Sequence, residues 1–227
     1  MAVPLGTDSV AYGSEYAKLS QSNRSVAEIG IDDFAGQYAK LWKSGASDPA
    51  ALLNSMIDGV KSGESKLKFG ATIYEDELAL AELGDSKLPA AVRMKFDFVH
   101  LYLHYRADGP RTPEYVERAK KLFPNAKMIL GVYAYDRVSY ISCAKGDSRP
   151  CSTQEEMDLF GQALDADIAL LKSGAASGLE FYPGSFGREE AWSGWDKPQI
   201  CPGHKQECVA NTKEMRALVA ERFRKGL

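Results

Sequence analysis

The amino-acid sequence predicts an α/β fold with parallel strands, built as a (β/α) barrel that is short, open or incomplete. Three observations predict it. Strand-like runs alternate with longer helical stretches, which is typical of a parallel sheet with crossover helices. Each run has one apolar face and one polar or aromatic face. Five such runs are visible, fewer than the eight strands of a complete barrel.

Five runs bounded by turn residues predict the strands. Parallel neighbours need a crossover connection that is nearly always right-handed, so a helix is expected between consecutive strands. The N-terminal segment 1–25 shows no clear strand and is expected to be helical or irregular. The predicted strands are Val26–Phe34, Leu67–Tyr74, Phe96–His104, Lys127–Tyr135 and Gly178–Tyr182.

Start and stop signals predict the helices. Asp48 followed by Pro49 is typical of a helix start, because the carboxylate caps free N–H groups and proline fits the first turn. Basic residues close the last helix, where the helix dipole favours them. The predicted helices span 34–42 with Asp33 as cap, 49–60, 112–122, 155–171 after Ser152 or Thr153, and 212–224.

The chain length favours a single domain over residues 1–227, and two small domains are the alternative. A complete barrel takes about 250 residues. A chain of 227 residues with five visible strands therefore suits a short or open barrel, or a fragment of a longer protein. An open doubly wound sheet is the alternative fold.

Only one face of each predicted strand is apolar. A doubly wound sheet is covered by helices on both faces and should be apolar on both. The polar face therefore favours a barrel whose interior carries a site at the C-terminal strand ends. A polar network that only ties the strands together is the alternative. The polar face comprises Glu28, Gly30, Asp32, Gly70, Thr72, Tyr74, Asp76, His100, Tyr102, His104, Gly131, Tyr133, Tyr135, Glu180 and Tyr182.

Carboxylates at the strand ends are the candidate catalytic residues. Two carboxylates across a cleft can divide the roles of acid and of base or nucleophile. Asp32, Asp76 and Glu180 are best placed, and Glu75 can turn inward because the loop after a strand relaxes the alternation. Helix capping and ion pairing are the structural alternatives for each of them.

Aromatic residues beside these carboxylates are candidates for substrate binding. Flat rings stack on the C–H patches of sugars, while carboxylates bind hydroxyl groups. The loop 183–211 is long, as functional loops often are. Core packing is the alternative role. The candidates are Tyr102, His104, Tyr133, Tyr135 and Tyr182 on the polar face, with Trp192 and Trp195 in the loop.

The primary hypothesis uses no metal and no other cofactor. His100 and His104 share one strand face four residues apart, roughly 13 Å at ~3.3 Å per residue, so they cannot bind one metal ion together. A metal-dependent hydrolase would need His104 with Asp32, Asp76 or Glu180. No glycine-rich nucleotide loop, serine elbow or HExxH motif is present in the sequence.

Four cysteines form two close pairs in segments rich in turn formers. This pattern predicts two local disulfides and an oxidising compartment, so the protein is expected to be secreted or periplasmic. The segment Met1–Tyr12 has no features of a signal peptide. The predicted pairs are Cys143–Cys151 and Cys201–Cys208. The alternatives are reduced cysteines, or a zinc site of Cys201, His204 and Cys208 with Cys143 or Cys151.

The composition excludes several partners. The 28 Lys and Arg residues nearly balance the 31 Asp and Glu residues, giving a net charge of −3. There is no basic footprint for nucleic acid and no polybasic run for anionic lipid. No window approaches the ~18 apolar residues of a membrane span. The oligomeric state is not predicted.

Three segments carry a resemblance to a known superfamily. They are Val26–Phe34, Phe69–Glu77 and Gly178–Gly184, and they resemble the strand ends of glycoside-hydrolase-type (β/α) barrels, which are TIM-like. In many such enzymes the acid/base follows the fourth strand and the nucleophile ends the seventh. If Leu67–Tyr74 is the fourth strand, the resemblance implies Glu75 or Asp76 as acid/base and Glu180 as nucleophile.

The function predicted is that of a carbohydrate-active hydrolase, glycoside hydrolase-like, with carbohydrate as its substrate or ligand. The alternatives are a non-catalytic carbohydrate-binding or structural barrel, and the metal-dependent hydrolase described above.

Overall fold

The computed structural model describes residues 9–62, 66–133, 153–182 and 205–226, together with Leu5. The helices are α1 Ser9–Ser22, α2 Phe34–Lys43, α3 Pro49–Val60, α4 Ala90–Arg93, α5 Thr112–Leu122, α6 Thr153–Lys172 and α7 Lys205–Gly226. The strands are β1 Glu28–Ile31, β2 Lys68–Tyr74, β3 Phe98–Tyr102, β4 Lys127–Tyr133 and β5 Gly178–Tyr182. Short 3-10 helices span Glu77–Ala79, Ala81–Leu83 and Arg106–Arg111.

The five strands form one sheet in the order in which they occur along the chain, β1-β2-β3-β4-β5. The pairs β1–β2 and β4–β5 are parallel, with Ile29 opposite Phe69 and Gly131 opposite Glu180. A doubly wound sheet reverses its strand order at a switch point, whereas a (β/α) barrel keeps the chain order. Over the described residues the sheet is not closed. The prediction of an α/β fold with an open, barrel-like sheet is confirmed.

The end of β1 differs from the prediction. The strand stops at Ile31, and Asp33 adopts the left-handed conformation, with φ 46° and ψ 45°, before α2 begins. Asp33 occupies the N-cap position, but its side chain makes no capping hydrogen bond, so the prediction of a side-chain cap is wrong. Instead the Asp33 N–H donates to Asp32 Oδ1 at 3.2 Å. The left-handed turn is the physical reason that the extended run ends early.

The chain divides into two compact units. The first comprises Met1–Leu101 and Glu117–Met128, and the second comprises Tyr102–Val116 and Ile129–Leu227. Each unit is described by itself below. The single-domain assignment stays a prediction.

The first unit is built around an aromatic core beneath β1 and β2. Phe96 lies 5.4 Å from Phe34, 5.2 Å from Phe69 and 4.9 Å from Phe123, measured between ring centroids. These tilted and edge-to-face contacts are the favourable geometries for aromatic pairs. The predicted apolar face of the two strands is buried with them, at Ile29, Ile31, Phe69, Ala71 and Ile73.

The second unit packs α6 and α7 against β4 and β5. Its core contains Val132, Phe160, Leu164, Ile168 and Met215, with Leu179 and Phe181 partly buried against them. The 3-10 helix Arg106–Arg111 lies close to α6, since a Cβ added to Gly109 would come within 2.5 Å of Ala163 Cβ. Glycine at position 109 therefore permits this close approach of two backbones.

The disulfide prediction is wrong for the part of the chain that the structure describes, where no disulfide-bonded cysteine pair is present. Cys208 lies inside α7, because that helix begins at Lys205 and not at the predicted residue 212. It is therefore not in the turn-rich loop that the prediction assumed. Cys143, Cys151 and Cys201 lie outside the described residues. Secretion or a periplasmic location rested on the disulfides alone and now has no support.

No described helix combines the length and apolar character needed to cross a membrane.

Candidate functional site

Three tyrosines form a row at the C-terminal strand ends of the second unit. Tyr133 and Tyr182 are paired in the register of β4 and β5, so their side chains leave the same face of the sheet. The Tyr133 ring lies 4.9 Å from the Tyr102 ring and 6.1 Å from the Tyr182 ring, between centroids. Exposure rises along the row, from 6% at Tyr102 to 40% at Tyr182. We call Tyr102, Tyr133 and Tyr182 the tyrosine row.

A glycine makes room for the first ring of the row. Tyr102 lies directly over Gly131, where any Cβ would overlap the aromatic ring. Gly131 is opposite Glu180 in the register, so Glu180 leaves the sheet on the face of the tyrosine row. Its side chain is half-buried. The second unit therefore combines one strand-end carboxylate with a flat, partly exposed aromatic surface.

The other predicted carboxylates lie in the first unit, after β1 and β2. Asp32 and Asp76 are exposed, whereas Glu75 is buried with 4% of its surface accessible. Asp32 follows β1, and Asp76 precedes the 3-10 helix Glu77–Ala79. The structure thus places these three residues after strand C-terminal ends, as the sequence predicts. Their catalytic roles stay predictions.

Sequence reasoning assigned no role to Glu77, a carboxyl group of this region that joins two elements. Its Oε1 accepts the Gly36 N–H and its Oε2 accepts the Tyr74 N–H, both at 3.1 Å. It therefore ties the end of β2 to α2. Burial raises the pKa of Glu77 to about 7, and the charges of Asp76 and Asp33 act in the same direction against the two hydrogen bonds.

The spacing Tyr74-x-x-Glu77 is the signal that could have indicated this role. A carboxylate three residues after a strand end can turn back to accept the strand's last N–H group, as the third residue of a helix does in a capping box. The run of three acidic residues, 75–77, concealed it, since any of the three could have turned inward.

The two histidines of the predicted polar face are described by the structure, whereas three of the predicted aromatic residues are not. His104 is half-buried, with its ring 6.3 Å from the ring of Tyr105. His100 lies in the first unit, with its ring 5.1 Å from Phe98. The metal-dependent alternative for His104 stays a prediction. Tyr135, Trp192 and Trp195 lie outside the described residues.

Comparisons with known proteins give limited similarity. No protein-family model matches the chain, and no curated protein matches it in sequence. A solved structure of a GH113 β-1,4-mannanase is similar over 94% of this chain and 66% of that chain, with 12% sequence identity and a TM-score of 0.48. This chain therefore spans about two thirds of that enzyme's length. The fold class follows from the strand order described above and does not depend on this likeness.

Proposed function

We propose that the protein binds carbohydrate on the tyrosine row and acts on it as a glycoside hydrolase-like enzyme, with Glu180 as a catalytic carboxylate. The observation that carries the proposal is the row itself, in which three rings line one strand-end face beside a carboxylate. Tyr182, at the end of the row, keeps 40% of its surface exposed, so its ring is accessible to a ligand.

The chemistry of the row suits a sugar more than an apolar ligand. Tyrosine offers a flat ring for C–H stacking and a hydroxyl group that binds water or a ligand hydroxyl. The half-buried Glu180 adds an acceptor, or a donor when it is protonated. A ligand with alternating C–H and O–H faces satisfies both kinds of group at once.

A glycoside hydrolase ordinarily uses two carboxylates, one on each side of the scissile bond. Glu180 lies on the face of the tyrosine row, and it is therefore proposed first. Glu75, Asp76 and Asp32 remain the sequence-based candidates for further catalytic roles.

The test replaces Glu180 by glutamine. Glu180→Gln keeps the size of the side chain and removes its acid–base and nucleophilic capacity. We expect turnover to fall by a factor of about 10² or more, since positioned proton transfer alone contributes ~10²–10⁴. Glu214→Gln, at an exposed position of α7, is the matched control and should keep wild-type turnover. Reducing-sugar release is measured on β-1,4-linked mannan, glucan and xylan, with melting temperatures recorded in parallel.

The outcomes separate the alternatives. Normal folding and wild-type turnover in Glu180→Gln would remove Glu180 from the reaction. Glycan binding without turnover by the wild type would indicate the non-catalytic binding protein. Turnover that a chelator abolishes, and that added divalent metal restores, would favour the metal-dependent hydrolase.

A further inference from the structure

Arg106 is a buried cation of the second unit that the proposed function does not use. It opens the 3-10 helix Arg106–Arg111, four residues after Tyr102, and only 6% of its surface is accessible. Burial of a charge costs free energy unless its contacts compensate for the lost hydration. The contacts that the guanidinium group makes therefore indicate what this side chain does.

The guanidinium group of Arg106 joins the end of a strand to two helices. Its Nη2 donates a long hydrogen bond, 3.4 Å, to the carbonyl oxygen of Tyr133, the last residue of β4. The same nitrogen lies 3.9 Å from Met215 Sδ in α7. On the side of α6, the guanidinium carbon lies over the Phe160 ring at 5.5 Å from its centroid, which is the geometry of a cation–π contact.

The backbone segment that carries Arg106 is itself packed closely on α6. Gly109 of the 3-10 helix approaches Ala163 so closely that an added Cβ would come within 2.5 Å of Ala163 Cβ. Ala163 and Phe160 are three residues apart and so lie on the same face of α6. The 3-10 helix and the Arg106 side chain thus contact one helix face, which limits the movement of the guanidinium group.

The carbonyl group that Arg106 contacts belongs to the middle residue of the tyrosine row. The Tyr133 ring lies 4.9 Å from the Tyr102 ring and 6.1 Å from the Tyr182 ring, between centroids. The Cα atom that carries the Tyr133 ring is bonded directly to the carbonyl carbon. A hydrogen bond that holds this carbonyl group therefore also restricts the position of the ring between its two neighbours.

We infer that Arg106 is a positioning residue of the tyrosine row, and that it holds Tyr133 in the arrangement that binds carbohydrate. The inference rests on the proposed function. Arg106 acts through the backbone of β4, and the contact with the sugar is made by the tyrosine rings. A hydrogen bond can favour one arrangement by no more than its own free energy, which for a charged donor corresponds to about tenfold or more in affinity.

The first test measures the affinity of Arg106→Met for β-1,4-linked manno-, gluco- and xylo-oligosaccharides by calorimetric titration. Methionine keeps an unbranched side chain beside Phe160 and Met215 but removes the donor to Tyr133, and an apolar replacement of a buried charge is often neutral for stability. We expect binding about tenfold weaker than that of the wild type. Arg93→Met, which changes a buried arginine of the first unit, 7% accessible, is the matched control and should bind as the wild type does. Equal affinity of Arg106→Met and the wild type would overturn the inference.

Arg106→Lys is the second variant, which keeps the buried charge and so does not depend on methionine being tolerated. Lysine retains a cationic donor but loses the planar fork and its stacking on the Phe160 ring, so it holds the Tyr133 carbonyl group less firmly. We expect it to bind more weakly than the wild type and more tightly than Arg106→Met. Affinity equal to that of the wild type would count against the inference.

The second test needs no glycan. Nuclear Overhauser contacts between the ring protons of Tyr133 and Tyr182 are compared in the wild type and in both Arg106 variants. We expect these contacts to weaken in the variants, while the contacts between Phe34 and Tyr38 of the first unit, whose ring centroids are 5.7 Å apart, stay unchanged as the internal control. Unchanged contacts between Tyr133 and Tyr182 would contradict the inference alone, whereas the absence of glycan binding by the wild type would contradict the proposed function as well.

Discussion

Glu77 and Asp167 are both carboxyl groups whose pKa is raised by burial, and both accept hydrogen bonds that act in the opposite direction. Glu77 accepts two backbone N–H groups, which favour the carboxylate. Asp167 of α6 is buried, and a hydrogen bond from Thr112 lowers its pKa against the larger, raising effect of that burial. Hydrogen bonding therefore opposes the effect of burial on the pKa at both groups, and burial is the larger effect at both.

The prediction for Glu77 concerns its titration. Its folded pKa of about 7 lies above the ordinary value of 4.5, so the stability it contributes is complete below pH 4.5 and is lost as the pH rises to about 7. Asp33→Asn removes a nearby negative charge and should lower the titration midpoint, as followed by carboxyl-carbon NMR. Glu28→Gln, at the other end of β1, should leave it unchanged.

A titration midpoint of Glu77 near 4.5 in the wild type would show that the two N–H donors offset the effect of burial on its pKa. An unchanged midpoint in Asp33→Asn would remove the charge of Asp33 as a cause.

At the scale of elements, neighbouring strands fit together by placing an aromatic ring over a glycine. Phe98 of β3 covers Gly70 of β2 in the first unit, and Tyr102 covers Gly131 in the second. Both glycines lie on the polar face predicted from the alternation. The sequence shows that these positions have no side chain, but not which ring fills the space, because that depends on the register between strands.

The prediction at this scale concerns Gly131→Ala. The new Cβ would overlap the Tyr102 ring and displace it from the tyrosine row. We expect a loss of about 1–3 kcal/mol in the free energy of unfolding, as for other overpacked sites. Gly178→Ala in β5 is the matched control, since a Cβ there would meet only Ile129 Cγ2 at 4.0 Å. Denaturant unfolding measures both variants, and equal stability of the two would contradict the packing described.

Element boundaries show what local sequence can specify. The start of α3 follows from Asp48, whose carboxylate accepts the Ala51 N–H at 2.9 Å, and from Pro49 in the first turn. The start of α7 was predicted seven residues late, because Pro202, Gly203 and the cysteine pair suggested a longer loop. A capping signal consists of a few adjacent residues, whereas the length of a loop also depends on how the elements that it connects pack.

At the scale of the whole molecule, alternation along the strands predicts the α/β class and the polar face. The strand order confirms the class, since five strands follow one another without reversal. Burial of Asp167 and Arg106 could not be predicted, because it depends on which elements pack on α6. Part of the candidate site could be predicted, because alternation along each strand is enough to place Glu180, Tyr133 and Tyr182 on the polar face. Their catalytic and binding roles stay predictions.

The most direct measurement is the affinity of the tyrosine row for oligosaccharides. Calorimetric titration compares the wild type with Tyr182→Ala and with Tyr12→Ala, which removes a similarly exposed tyrosine, 38% accessible, from α1. We expect the wild type to bind at least one glycan of the panel. Tyr182→Ala should weaken that binding about tenfold, the worth of one aromatic stacking contact, while Tyr12→Ala should bind as the wild type does. Equal affinity in all three proteins, or no binding by the wild type, would contradict a carbohydrate site on this face.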